Sequence, residues 1–407
     1  MDTGDTAWVL MSTALVMLMT PALGFFYGGL VQRKNVLATI MHSFFILALI
    51  SVVWVLWGYS LAFAPGGQWI GGLEWIGFQG VGMEPNPTYA ATIPHQLFAV
   101  YQMMFAAITP ALITGAFAER KRFKAMVVFS VLWSTLVYAP VAHWVWSPDG
   151  WLFQLGALDF AGGTVVHITS GVSALVAAMV LGKRLGFGKD AMEPHNLTYT
   201  VLGAGLLWFG WFGFNAGSAL GANGLAANAF IVTNTAAAMG ALTWMSVSWL
   251  RPGHPSVLGA AAGAVAGLVA ITPAAGFVDP LAAILIGFGA GVFCFLAVDL
   301  LKKVVKVDYA LDVFAVHGVG GIWGALATGL FAQEAIRGLP ATNGLFYGAP
   351  EQFGKQVVAV VAVGLFAGAA TWIILKLIDV TVGLRVPEQE EVLGLDTTTH
   401  GEAAYQL

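Results

Sequence analysis

The chain has 407 residues, of which 58% are hydrophobic and only 9% charged, with a formal net charge of −4. Soluble domains carry roughly 25% charged residues, so this composition argues against a cytosolic enzyme, and disordered chains are more polar still. The negative balance without a basic stripe disfavours nucleic-acid binding, and the single cysteine, Cys294, excludes an internal disulfide framework and a Cys-based zinc site.

What remains is a polytopic membrane protein. Apolar runs long enough to cross about 30 Å of hydrocarbon lie near 8–30, 37–63, 96–118, 125–146, 162–182, 197–219, 226–250, 257–276, 281–301, 312–333 and 357–382. Barrel strands alternate every second residue, whereas Phe44–Trp57 and Val357–Leu365 do not. The spans therefore read as eleven helices. Ahead of the first lie Asp2 and Asp5 and no basic residue. A leader needs a positive start, so this helix reads as retained.

In chain order, the first span ends in Phe25-Phe26-Tyr27-Gly28-Gly29-Leu30, and the second holds His42. The third places Tyr101 and Phe105 four residues apart, hence on one helical face, beside Gln102. The fourth holds His143 and ends at Trp146. The fifth starts after Asp159 and carries His167, about 12 Å further along a helix. That distance forbids contact but lets the carboxylate shape the field. Asp159 reads equally well as a carboxylate accepting N–H bonds at a helix start or as an anion stabilising an incoming cation. In the sixth span Phe214 and Ser218 set a ring and a hydroxyl one turn apart. The eighth repeats Gly259, Gly263 and Gly267, a ridge that lets helix backbones touch. The tenth begins near Asp312 and carries His317 among glycines 318, 320, 321, 324 and 329.

Helices five and ten thus each set an Asp before a His, and helices one and six each end in aromatics, small residues and a leucine. Matching helices are five apart, an odd number, which predicts two inverted five-helix repeats, about 8–182 and 197–333, with helix eleven outside them.

With the N-terminus outside and the C-terminus inside, the inner loops hold Arg33, Lys34, Arg120, Lys121, Arg122, Lys124, Lys183, Arg184, Lys189, Arg251, Lys302, Lys303, Lys306, Lys376 and Arg385. Only Arg337 and Lys355 fall outside, a strong positive-inside bias. The outer side carries Asp2, Asp5, Glu74, Glu84, Asp149, Asp159, Asp279, Glu334 and Glu351. This is either the complement of that rule or a field favouring an incoming cation.

Ionisable groups at membrane depth usually face a pathway or a partner. His167 and His317 occupy corresponding places in the two halves, so they read as a pair that shares one proton and lines a narrow path. His42 and His143 have no counterparts and read as structural. No His-x-x-x-His or His-x-x-Glu pair supports a metal site. Aromatic faces can hold a cation stripped of water, so the residues point to a small cation or polar gas without naming it. A Ser218 hydrolase would need the Gly-x-Ser-x-Gly elbow, which is missing.

The motifs 25–30, Gly115-Ala116-Phe117-Ala118-Glu119-Arg120, 159–167, 210–218 and 312–318, with the tail from Thr381-Val382-Gly383-Leu384-Arg385-Val386-Pro387 to His400-Gly401-Glu402, resemble the ammonium transporter family (Amt/Mep/Rh), in its bacterial and archaeal Amt branch. The resemblance covers nearly the whole chain and implies an all-α membrane domain, residues 1–382, and a cytoplasmic regulatory tail, residues 383–407. It further implies a homotrimer in the cell membrane with one pore per subunit, no cofactor and no enzymatic activity. Trp146, Phe105 and Ser218 resemble an external ammonium site, with Tyr101 beside it. Phe105 and Phe214 look like the gate, His167 and His317 like twin histidines of the conduction path, and Asp159 like the acidic residue needed for activity. The segment between Trp146 and Asp159 is about one residue longer than the bacterial pattern, and of Trp144 and Trp146 the latter is the better match. The expected activity is ammonium recruitment, deprotonation and conduction of ammonia, with the proton moving separately. An ammonium sensor using the same site is the alternative. By composition the acidic tail could be a flexible end. By resemblance it packs under a neighbouring subunit and couples to a PII-type protein.

Overall fold

The computed structural model describes residues 1–251, 253–302, 306–308 and 310–405; Lys303, counted above among the inner basic residues, lies outside them. Among the described residues ten helices are long and apolar enough to cross a membrane. They are α1 (Thr3–Leu30), α2 (Arg33–Phe63), α3 (His95–Ala116), α4 (Phe123–Leu155, with a break after Trp146), α5 (Gly163–Leu181), α6 (Leu197–Ala219), α7 (Gly224–Leu250), α9 (Pro280–Leu300), α10 (Phe314–Phe331) and α11 (Pro350–Thr381). The run expected at 257–276 forms a shorter apolar helix, α8 (Val257–Ile271). Two short helices, Glu388–Leu393 and Leu395–His400, make the tail.

Helix starts follow local chemistry. Asp2, Asn196, Asn223, Ser256 and Asp279 each accept a backbone N–H from three residues ahead, capping α1, α6, α7, α8 and α9. The first turn of α11 takes Pro350, whose missing N–H costs nothing there. That helix begins seven residues earlier than its apolar run because its first turns carry Gln352 and Gln356, which find partners inside the protein.

The α-only expectation misses one element. Pro85–Asn86 pairs antiparallel with Ala90–Pro94 in the α2–α3 connection, and Asp2 N–H donates to Thr92 O at 2.7 Å, binding the N-terminus to this hairpin.

Helix α1 packs along α6, and α5 packs against α10, so the elements carrying the matching motifs are spatial partners. The glycine ridge of α8 meets α7: a Cβ on Gly263 would lie 2.5 Å from Gly240 O, and one on Gly267 2.2 Å from Ala236 O. Such contact leaves room for no side chain on either residue. The apolar residues left uncovered, among them Leu281, Leu285 and Phe288 on α9 and Leu365 and Trp372 on α11, form the outer belt that a bilayer would solvate.

Candidate functional site

Residues distant in sequence form one column through the helical bundle. On the face that bears the N-terminus it starts in a vestibule of about 610 Å3 whose wall includes Tyr101, Gln102, Phe105, Trp146, Asp159 and Ser218. Tyr89, at the turn of the hairpin, adds to its rim and donates its hydroxyl to Phe63 O at 2.5 Å. Trp146 lies edge-on to Phe105, with centroids 5.9 Å apart, and its indole N–H donates to Asp159 O. Trp144, two residues earlier, packs instead against Trp69, Trp151 and Phe366 and donates to Trp69 O.

The hydroxyls of Ser218 and Tyr101 share the carbonyls at the end of α6. Ser218 Oγ donates to Phe214 O at 2.9 Å, and Tyr101 Oη lies 2.8 Å from Gly213 O and 3.0 Å from Phe214 O. With its proton spent on that carbonyl, Ser218 presents lone pairs to the vestibule and can act there as an acceptor. Tyr101 holds it in place from 3.1 Å.

Below the vestibule Phe105 and Phe214 meet with centroids 4.3 Å apart, closing the column. Phe214 then stacks on His167 at 5.9 Å, and Trp211 stacks on the same imidazole at 5.5 Å. His167 Nδ1 and His317 Nδ1 are 3.2 Å apart, so one ring donates and the other accepts. His167 Nε2 is buried without a partner. The space enclosed here by both histidines, Phe214 and Trp211 is about 10 Å3, close to the minimum that admits one water-sized molecule. His317 also lines a second vestibule, about 250 Å3, with Tyr27 and Asp312, toward the face bearing the tail.

Both histidines sit in π-helical turns, Gly163–Ile168 and Phe314–Val319. Such turns insert one extra residue and re-aim the side chains near it. The rings meet because the backbones do: a Cβ on Gly171 would lie 2.2 Å from Gly318 N, and one on Gly321 3.0 Å from His167 Cβ.

Asp159 performs the helix-start role. Its Oδ1 accepts from Gly162 and Gly163 N–H, both at 2.7 Å, and its Oδ2 from Thr164 N–H at 2.8 Å, Val165 N–H at 3.3 Å and the Thr164 hydroxyl. Gly162 makes the tight entry possible with φ of +116°. Asp312 does not repeat this: its Oδ2 pairs with Lys302 Nζ at 2.7 Å, and its φ is +59°. The two halves therefore match in their histidines and differ in how the helices start.

His42 stacks on Phe123, and both ring nitrogens of His143 lie within hydrogen-bond reach of carbonyls, Ala62 O at 2.9 Å and Gly67 O at 2.7 Å. Neither lines the column. The sequence reading missed Trp211 as the second ring on His167, and Gln356, whose amide clamps Leu158 by accepting from its N–H (2.7 Å) and donating to its carbonyl (2.8 Å). Two glutamines four apart on one face of a membrane helix were the available signal. Among the described residues no group of three His, Cys, Asp or Glu could hold a metal.

The tail is docked and not free. Glu391 is bound by Arg385 through Nη2 at 2.8 Å and by Leu185 N–H at 2.8 Å, while Asp396 accepts from Leu37 and Ala38 N–H at the start of α2. Above them Arg184 joins Glu119 (2.5 Å) and Asp308 (2.8 Å) in a buried network.

A family model described as Ammonium Transporter Family matches residues 7–405. The chain is 57% identical to an ammonium transporter of Bacillus subtilis, covering 100% of this chain and 99% of that relative. Among solved structures, Saccharomyces cerevisiae Mep2 is 40% identical with a TM-score of 0.90, over 95% of this chain and 88% of that one. A structure named Sensor Amt Protein is 29% identical with the same TM-score of 0.90, over 97% and 98%.

Proposed function

The chain belongs to the ammonium transporter family, and as a multi-pass membrane protein of that family we propose that it captures ammonium at the Trp146–Phe105–Ser218 vestibule and passes it on as ammonia beside His167 and His317. All eleven apolar helices then span the bilayer, with the N-terminus outside, the tail inside and five-helix halves inverted about the histidine pair. Three copies assemble, and the tail face is where a PII-type regulator would dock.

The observation that carries this reading is the unbroken contact from Trp146 through Phe105, Phe214 and His167 to His317. Ring faces replace part of the ammonium hydration shell, and the acceptor-oriented Ser218 hydroxyl takes one N–H. Potassium has no N–H to offer, so the hydroxyl discriminates between two cations of similar size. A bare charge at the bilayer centre costs several kcal/mol even on the lenient scale. Deprotonation at the closed rings avoids that cost. Ammonia then fits the single-molecule space at the histidines, whose nitrogens can donate or accept. Asp159, half-buried beside the site, favours positive charge at the mouth, and the proton crosses separately, making transport electrogenic.

In proteoliposomes the intact chain should give an ammonium-evoked current with potassium excluded, and His167→Ala or His317→Ala should abolish the current or its selectivity. Unchanged current and unchanged potassium exclusion in both variants would remove the histidines from the route. The likeness to a protein named Sensor Amt Protein supports the alternative of an ammonium sensor; sustained current in the intact chain decides for transport.

A further inference from the structure

The acidic outer side left open either the complement of the positive-inside rule or a field that attracts cations, yet the wall of the entry vestibule is basic. Arg337 and Lys355, the only two Lys or Arg residues assigned to that side, both line it. Its one acidic lining residue is Asp159, a single negative charge against two positive ones. Of the other outer acids, Asp5 accepts from Ala222 N–H, Asp149 accepts from Gly66 N–H and Asp279 caps α9, and none of the eight lines the vestibule. Among the described residues no carboxylate pairs with Arg337 or Lys355. The Arg337 guanidinium sits 5.6 Å from the ring centroids of both Phe160 and Phe277, and burial lowers its pKa from the usual value, a direction that still leaves a guanidinium charged at neutral pH. Lys355 lies across Gly156, whose added Cβ would be 3.2 Å from its Nζ.

Unpaired positive charge at the mouth of a cation pathway lowers capture of the substrate, so it needs a compensating use. Repulsion scales with the charge of the visitor: a potential that lowers local ammonium about threefold lowers a divalent ion about ninefold and a trivalent one about 27-fold. A polyamine ends in the same –NH3+ group as the substrate. It offers the same N–H donors to Ser218 and the same charge to Phe105 and Trp146, and its chain fits a vestibule of about 610 Å3. Ring and hydroxyl chemistry cannot reject it, whereas total charge can. We propose that Arg337 and Lys355 are specificity-determining residues that keep organic polycations out of the ammonium site by repulsion, a device that trades some substrate affinity against a blocking competitor.

The proposal rests on ammonium entering from this vestibule as a cation, and the experiment separates the two. Ammonium-evoked current is measured in proteoliposomes with external spermidine at constant ionic strength. The intact chain should tolerate spermidine, while Arg337→Gln with Lys355→Gln should be blocked at about 27-fold lower concentration, and its half-saturating ammonium should fall about threefold. Arg337→Lys with Lys355→Arg restores both charges and should behave like the intact chain, which a packing role for the guanidinium on its two rings would not produce. Lys355→Gln alone touches neither ring and should show an intermediate block. Raising the salt to 1 M, where the screening length is about 3 Å, should erase the difference. Equal spermidine sensitivity in the intact chain and the double Gln variant would overturn the filter, as would equal block in the charge-restored pair. Absence of any ammonium current in the intact chain would count against the transport reading instead.

Discussion

At the residue scale the site depends on hydroxyl direction. Replacing Tyr101 by Phe removes the group that stands 3.1 Å from Ser218 Oγ while keeping the ring on Phe105 at 5.0 Å. Loss of one such bond is worth about 0.5–1.5 kcal/mol. Half-saturating ammonium should therefore rise about two- to tenfold with maximal current preserved, and an unchanged affinity would leave Tyr101 a packing residue. Asp159 can be split the same way. Asp159→Ala strands the N–H groups at the start of α5 and should lower the melting temperature in detergent, with a cost of about 1–2 kcal/mol. Asp159→Asn keeps an acceptor and drops the charge, so it should melt near the parent while its ammonium current falls. Equal currents in Asn variant and parent would confine Asp159 to capping. The ring, hydroxyl and histidine positions were legible because i, i+4 spacing and polar residues inside apolar runs are visible in one dimension. Trp211 was not, since a tryptophan in a membrane helix looks the same whether it faces lipid or an imidazole.

At the element scale, the two histidines are brought together by backbone approach. Gly171→Ala would drive a methyl to 2.2 Å from Gly318 N, and such overpacking costs about 1–3 kcal/mol. Thermal melting should drop by several degrees, and the His167–His317 spacing should open, read as lost potassium exclusion in the current assay. An alanine variant with parent melting and selectivity would mean that α5 and α10 can slide apart freely. The helices themselves were foreseeable from apolar length. Their π-helical turns were not, because one inserted residue leaves hydropathy unchanged. The hairpin at 85–94 was equally hidden, being two and five residues of unremarkable loop composition.

At the scale of the whole molecule, the face opposite the entry is held by charge. Burial would raise the Asp308 carboxyl, but hydrogen bonds and charge from Arg184, with the charge of Arg120, hold it below the usual carboxylate range. A carboxyl lowered in the folded state stabilises fully above its unfolded value near 3.9, and that contribution disappears as pH falls through the lower folded value. The tail, attached next door through Leu185 N–H to Glu391, should therefore keep its protease resistance from pH 7 to about pH 4 and lose it below. Limited proteolysis in detergent reads this directly. Asp308→Asn should show weaker protection at pH 7 and little further change on acidification, and protection constant to pH 2 in the parent would remove the network from tail docking. The acidic residues of the tail suggested a loose end by composition, because the backbone N–H groups that anchor Glu391 and Asp396 lie more than 200 residues away, although the Arg385 partner of Glu391 is only six residues off.

The closed rings have one more consequence. With Phe105 and Phe214 at 4.3 Å and about 10 Å3 of space beneath them, the proposed route contains no standing bore. Each crossing waits for two buried rings to part, a thermally activated event. Flux should then climb with temperature far more steeply than the fluidity of water does, and its ceiling should be a turnover frequency instead of a diffusion rate.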